Sequence, residues 1–185
     1  GGHSGMDIHK GLGNSNKLLG RFLFAGLSNQ IQLISIDGGS LRNAIPREAK
    51  AIVAVDNSED FVSKFEQLKA DILEEFASLE KDLVINIEKT DSSEQPISVD
   101  DSKKTIFAIN SAHNGVFRMS PDVEGLVEAS NNVARIELKT GEINILNLTR
   151  SSVESTKWEV ADQLKSAFES NGLKTEFGGS YPGWK

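Results

Sequence analysis

The apolar residues Phe61, Phe65, Leu68, Ile72, Phe76 and Leu79 recur in alternating steps of three and four, which places them on one face of an α-helix. Asn57 and Ser58 stand just ahead of the series with side chains able to cap its first turn. A one-sided helix must lay its stripe on something. The runs around it, Ile31 to Ile36, Ala51 to Val55 and Leu83 to Ile87, have the length and the β-branched content of strands. The chain therefore mixes helix and strand.

The same order occurs twice. Leu18, Leu19, Phe22, Leu23 and Leu27 predict a first helix that stops at Ser28-Asn29. Asp37-Gly38-Gly39 and Pro46 separate the first two strands, which are expected to pair antiparallel across a structured loop. Thr90 to Asp101, rich in Ser, Asp and Glu, reads as an exposed linker. Beyond it the pattern predicts a helix over Ser102 to His113 closed by Asn114-Gly115, and a strand from Leu126 to Leu138. A Thr140-Gly141 turn and a strand over Ile143 to Leu148 follow. The last helix opens with Thr156 and Glu159 at capping-box spacing and buries Trp158, Leu164 and Phe168. It ends at Asn171-Gly172 before a strand over Leu173 to Phe177.

Each half thus reads helix, strand, strand, helix, strand. That order predicts an α+β two-layer sandwich, an antiparallel sheet with helices on one face, built from a duplicated ferredoxin-like unit. The division is 1–90 for the first unit, 91–101 for the linker and 102–185 for the second. The halves share no convincing sequence identity, so the repeat is one of architecture.

A net charge of −7 and a pI near 5.0 exclude a general binder of phosphate backbones, so no nucleic-acid partner is expected. There is no cysteine, hence no disulfide, thiolate metal site or cysteine nucleophile. The apolar runs fall far short of the roughly 18 residues a membrane span needs, and no signal-peptide pattern opens the chain. A cytoplasmic location fits.

Residues with chemistry are few. The three histidines, His3, His9 and His113, belong to no metal-ligand spacing, so the chain alone is expected to build no metal centre. Glu74-Glu75 falls off the apolar stripe and reads as a solvated face. Ser4 is flanked by glycines but lacks the preceding strand of a nucleophile elbow. On residue chemistry alone the plainer readings prevail: His3 as an expression scar or frayed terminus, Asn43 as a turn residue before Ile45-Pro46, and Arg150 as a surface cation at a strand end.

Longer segments carry more. Gly1-Gly2-His3-Ser4-Gly5-Met6-Asp7-Ile8-His9, Asn14-Ser15-Asn16-Lys17, Gly38 to Glu48, Asn114 to Ser120 and Arg150-Ser151-Ser152-Val153 together resemble, in order, segments of the aminoacyl-histidine dipeptidase family. These Xaa-His dipeptidases belong with carnosinases among the co-catalytic zinc peptidases. The resemblance extends to Ser180-Tyr181-Pro182-Gly183-Trp184, which looks like the return from a lid into a catalytic domain.

The resemblance implies that this chain is the lid and dimerisation portion of such an enzyme. Two zinc ions, bound by a catalytic domain that is absent here, would activate a water, with a glutamate of that domain as general base. His3 matches a lid histidine implied to donate to the developing oxyanion, in related dimers often from the partner protomer. Asn43 and Arg150 match positions implied to hold the free carboxylate of the dipeptide substrate. The implied partners are that substrate, the chain's own catalytic domain and a second copy in a homodimer. Two other classes remain open on sequence: a self-standing interaction module using its helices or a free strand edge, and a small-molecule-sensing domain of ferredoxin-like type.

Overall fold

The computed structural model describes residues 1–180. Tyr181 to Trp184, the end of the family resemblance, lies outside them.

Three of the α-helices begin where a polar side chain satisfies free N–H groups of the first turn. In α1 (Ser15–Ala25) the Asn14 carbonyl oxygen accepts from the amides of Asn16 and Lys17 at 3.0 and 3.2 Å. Asn57 does the same for α2 (Ser58–Glu75) through the Asp60 amide, and Ser98 for α3 (Val99–Ser111) through the Asp101 amide. α4 (Glu154–Glu169) follows Val153, which supplies no cap.

The strands are β1 (Gln32–Gly39), β2 (Ala49–Ala54), β3 (Gly115–Met119), β4 (Val127–Lys139) and β5 (Glu142–Ser151), and all belong to one antiparallel sheet. The long β4 organises it. One side of β4 pairs with β5 from Ala129↔Ser151 to Lys139↔Glu142. Its other side pairs with β3 over its first part and with β1 over its last, from Ile36↔Leu138 to Gly39↔Arg135. β2 completes the sheet beside β1.

Alternation along β4 gives the sheet a packed face and an open one. Ile136 and Leu138 are buried, whereas Glu137 and Lys139 are exposed, and Arg135 forms ion pairs with Asp37 and Glu137. The packed face joins Leu33, Ile36, Val133, Ile136 and Leu138 to Ile106, Ile109, Val160, Leu164 and Phe168 of the helices. Each such side chain contributes about 1.5–3 kcal/mol by leaving water. A second cluster, Phe22, Phe65 and Ile72, fastens α2 onto α1.

The two-layer α+β reading is met, with differences in detail. The two halves share one sheet, because the β1–β2 and β4–β5 hairpins join through β1 and β4. Leu83–Ile87 and Leu173–Phe177, read as strands, run without ladder partners among the described residues. Leu83, Ile85 and Ile87 instead pack on the α1–α2 cluster, which explains their strand-like alternation. α3 starts at Val99, inside the stretch read as linker, because Ser98 caps it. β3 was not read at all.

The expected capping box is also absent. Thr156 lies within α4, where its hydroxyl donates to the buried Glu128 carboxylate at 2.9 Å instead of capping. Trp158 is 43% exposed, its indole N–H held by Glu154 on the solvent side, and Leu79 lies beyond the end of α2.

Candidate functional site

The first ten residues fold back onto the β1–β2 connection. The Ser4 amide donates to Asn43 O at 2.9 Å, Ile45 N to Gly2 O at 2.7 Å, and His3 forms an isolated antiparallel bridge with Ala44. His3 and Asn43 therefore lie on adjacent strands of chain, although 40 positions separate them.

Within this opening the chain turns sharply. Met6 N and Asp7 N both donate to His3 O, and the Asp7 carboxylate accepts from His3 N at 2.8 Å. The amides of Gly5 and Met6 point at the imidazole, donating to His3 Nδ1 at 3.1 and 3.2 Å. A nitrogen that accepts two N–H bonds carries a lone pair there, so the ring proton resides on Nε2. The exposed imidazole thus presents an N–H donor. Lys10, 2.7 Å from Asp7, keeps that carboxyl below its usual pKa range and hence ionised.

The Asn43 loop is held from beneath. Asn132 on β4, 1% exposed, donates to Arg42 O at 3.1 Å and to Ala44 O at 2.8 Å, gripping the backbone on both sides of Asn43. Asn14 and Asn114 extend the same layer: Asn14 Nδ2 donates to Val133 O, and Val133 N to Asn114 Oδ1. Buried amides are stable here because each finds partners.

Arg150, on β5 opposite Ser130, supplies the third member. A methyl group on Gly5 would stand 3.1 Å from Cε1 of His3 and 3.2 Å from Cζ of Arg150. The imidazole and the guanidinium therefore both lie against Gly5, where any side chain would crowd them. Arg150 Nε is buried with no hydrogen-bond partner among the described residues. A groove of about 1330 Å³ follows β5, with Gly5, Arg42, Asn43 and Arg150 among its walls.

All three candidate residues, His3, Asn43 and Arg150, thus fall at one place. His113 does not join them; its ring bonds Gly115 O and meets the edge of Phe117. Ser4 is buried and its hydroxyl has no hydrogen-bond partner among the described residues, so none of them would activate it as a nucleophile. Sequence reasoning passed over Asp7, Gly5 and Asn132. Asn132 carried a signal: of two consecutive asparagines on a strand, Asn131 and Asn132, one must point to the packed face, where a polar side chain needs a dedicated partner.

Among the described residues no group of three His, Cys, Asp or Glu side chains gathers to hold a metal ion, and the site histidine has its Nδ1 engaged. A zinc pair therefore does not fit the donors present in this chain. No helix among the described residues is long and apolar enough to cross a membrane.

Residues 1–83 match the family model described as a peptidase dimerisation domain, M20_dimer. The family match is thus to the first 83 residues of the chain. It is 38% identical to the cytosol non-specific dipeptidase of Escherichia coli (strain K12), in an alignment covering 100% of this chain and 39% of that protein. It is also similar to aminoacylhistidine dipeptidase from Vibrio alginolyticus, whose crystal structure matches with a TM-score of 0.92 and 42% identity over 100% of this chain and 38% of that one. The chain thus spans about two-fifths of the length of these relatives. The family model ends before Arg150, while both relatives cover it.

Proposed function

We propose that this chain is the lid and dimerisation part of a longer metallo-dipeptidase that hydrolyses Xaa-His dipeptides in the cytoplasm. In this reading the zinc ions and the general base belong to the rest of the polypeptide, and the lid completes the site on closure. His3 offers Nε2–H to the oxyanion that forms at the scissile carbonyl. Arg150, with Asn43, takes the free carboxylate of the dipeptide. The lid acts in a homodimer, so His3 serves either its own active site or its partner's.

The observation that supports the reading is that Asn43 and Arg150 line one groove while the exposed His3 imidazole and the Arg150 guanidinium both lie against Gly5. A guanidinium on the groove wall offers a carboxylate charge-assisted hydrogen bonds. An anion-binding cation near an N–H donor suits the hydrolysis of a short peptide with a free carboxylate.

The test is hydrolysis of β-alanyl-histidine and other dipeptides by the full-length enzyme with zinc, comparing wild type, His3→Ala and Arg150→Gln. Loss of an oxyanion donor costs about a hundredfold to a thousandfold in kcat, the effect expected of His3→Ala with metal content unchanged. Arg150→Gln should raise KM for dipeptides and abolish the preference over their C-terminal amides. Full activity in His3→Ala would overturn the reading.

A further inference from the structure

The reading above leaves unexplained why a solvent-exposed histidine should keep one tautomer and one orientation. The answer lies in the turn that carries it. Asp7 is four residues downstream, and its Oδ2 accepts the backbone N–H of His3 at 2.8 Å while its Oδ1 binds Lys10 Nζ at 2.7 Å. The turn is further closed by Asp7 N donating to His3 O at 2.8 Å. Asp7 therefore clasps both backbone groups of His3. With His3 held this way, the amides of Gly5 and Met6 converge on Nδ1.

We propose that Asp7 is a positioning residue for His3: by clasping the turn it keeps the Gly5 and Met6 amides on Nδ1, which fixes the imidazole as the Nε2–H tautomer and directs that proton outward. The proposal rests on His3 acting as a donor in catalysis. Its physical basis is that two amide donors on Nδ1 exclude a proton there, and that the amides converge only while the turn is closed. The position of Asp7 is itself constrained: a methyl on Gly2 would stand 2.7 Å from Asp7 Oδ2, so glycine at that position leaves room for the carboxylate. Asp7 touches no substrate in this scheme. It acts through His3.

The experiment pairs a spectroscopic reading with kinetics. In the 185-residue chain, which contains its own hydrophobic core, histidine-selective ¹⁵N labelling and long-range ¹H–¹⁵N correlation at pH 8 report which His3 nitrogen bears the proton. Wild type should give a bare Nδ1 and a protonated Nε2. Asp7→Ala should give tautomer-averaged nitrogens with an unchanged far-ultraviolet circular dichroism spectrum. Asp7→Asn, whose carbonyl oxygen can still accept from His3 N, should restore the wild-type pattern in large part.

In the full-length enzyme with zinc, Asp7→Ala should lower kcat about tenfold, as a misoriented donor does, with KM nearly unchanged, and Asp7→Asn should recover most of that loss. The proposal is overturned if Asp7→Ala keeps the wild-type tautomer, or keeps wild-type kcat, while His3→Ala in parallel loses turnover. Full turnover in His3→Ala would instead overturn the catalytic reading on which the proposal rests. The two failures are thereby separate.

Discussion

Asn132 holds Ala44: from a position 1% exposed on β4, its side-chain amide donates to the Ala44 carbonyl at 2.8 Å, and its second contact reaches Arg42 O. The loop bearing Asn43 thus hangs from one buried side chain, and His3 bridges to Ala44. Asn132→Leu would keep the volume but leave two carbonyls without donors, at a cost of about 1–3 kcal/mol. The expected outcome is a lower urea midpoint with an unchanged slope. A fall in kcat/KM in the full-length enzyme should exceed what the lost stability alone explains. Equal stability and activity in variant and wild type would show that the loop holds its own shape.

Gly5 lies against both His3 and Arg150. In Gly5→Ala the added methyl, 3.1 Å from the imidazole and 3.2 Å from the guanidinium, must push one of them aside. Gly5 is exposed, so the fold should tolerate the change within about 0.5 kcal/mol. Dipeptide turnover should nevertheless fall by about tenfold or more, since displacements of this size misalign a reacting constellation. Thermal unfolding and steady-state kinetics on the same preparation separate the two effects.

Lys17 makes a pH-dependent contribution to stability. Its Nζ donates to the carbonyls of Ile109, Asn110 and Ala112, capping the C-terminus of α3, and burial lowers its pKa to about 8. With the folded value below the ordinary lysine value, the unfolded chain binds more protons between about pH 8 and 10.5. By linkage, the contribution of Lys17 to stability rises with pH across that window. Across the whole window the rise is on the order of 3 kcal/mol at most, and the three carbonyls, which favour the charged form, work against it. Urea unfolding at pH 7 and pH 10 should show the difference between wild type and Lys17→Met moving toward wild type at the higher pH. A constant difference would mean that Lys17 stays charged throughout.

The fold was legible where periodicity and caps agreed, as in α2, whose stripe and Asn57 cap both stand in the sequence. It was illegible where a partner decides. Leu83, Ile85 and Ile87 alternate like a strand because they pack on helices. Thr156 has capping-box spacing, but Glu128, 28 positions away, claims its hydroxyl. Short β3 pairs with β4 through irregular register, which leaves little period to read. At the site, His3, Asn43 and Arg150 were found through family resemblance. Asp7 and Asn132 act through bonds to backbone N–H and C=O groups, which every residue type carries, so their partners leave no mark in the sequence.

Gly39 marks where the two halves of the sheet close on each other. Its φ is +74°, and a Cβ there would lie 1.9 Å from the carbonyl oxygen of Ala134, the residue passed over at the register shift of β4 against β5. Gly39→Ala therefore meets two obstacles, a backbone conformation hostile to side chains and a collision with buried backbone that cannot rotate away. The strain alone costs about 1–3 kcal/mol, and relief of the collision requires β1 to slide off β4. Because β1–β4 pairing is what joins the hairpins of the two halves, that slide also moves Asn43, on the β1–β2 connection, relative to Arg150, on β5. The variant should unfold at markedly lower urea and exchange the β1 and β4 amides faster than those of α2, which packs on the separate Phe22–Phe65–Ile72 cluster. Uniformly faster exchange, α2 included, would show instead that both clusters open as one unit.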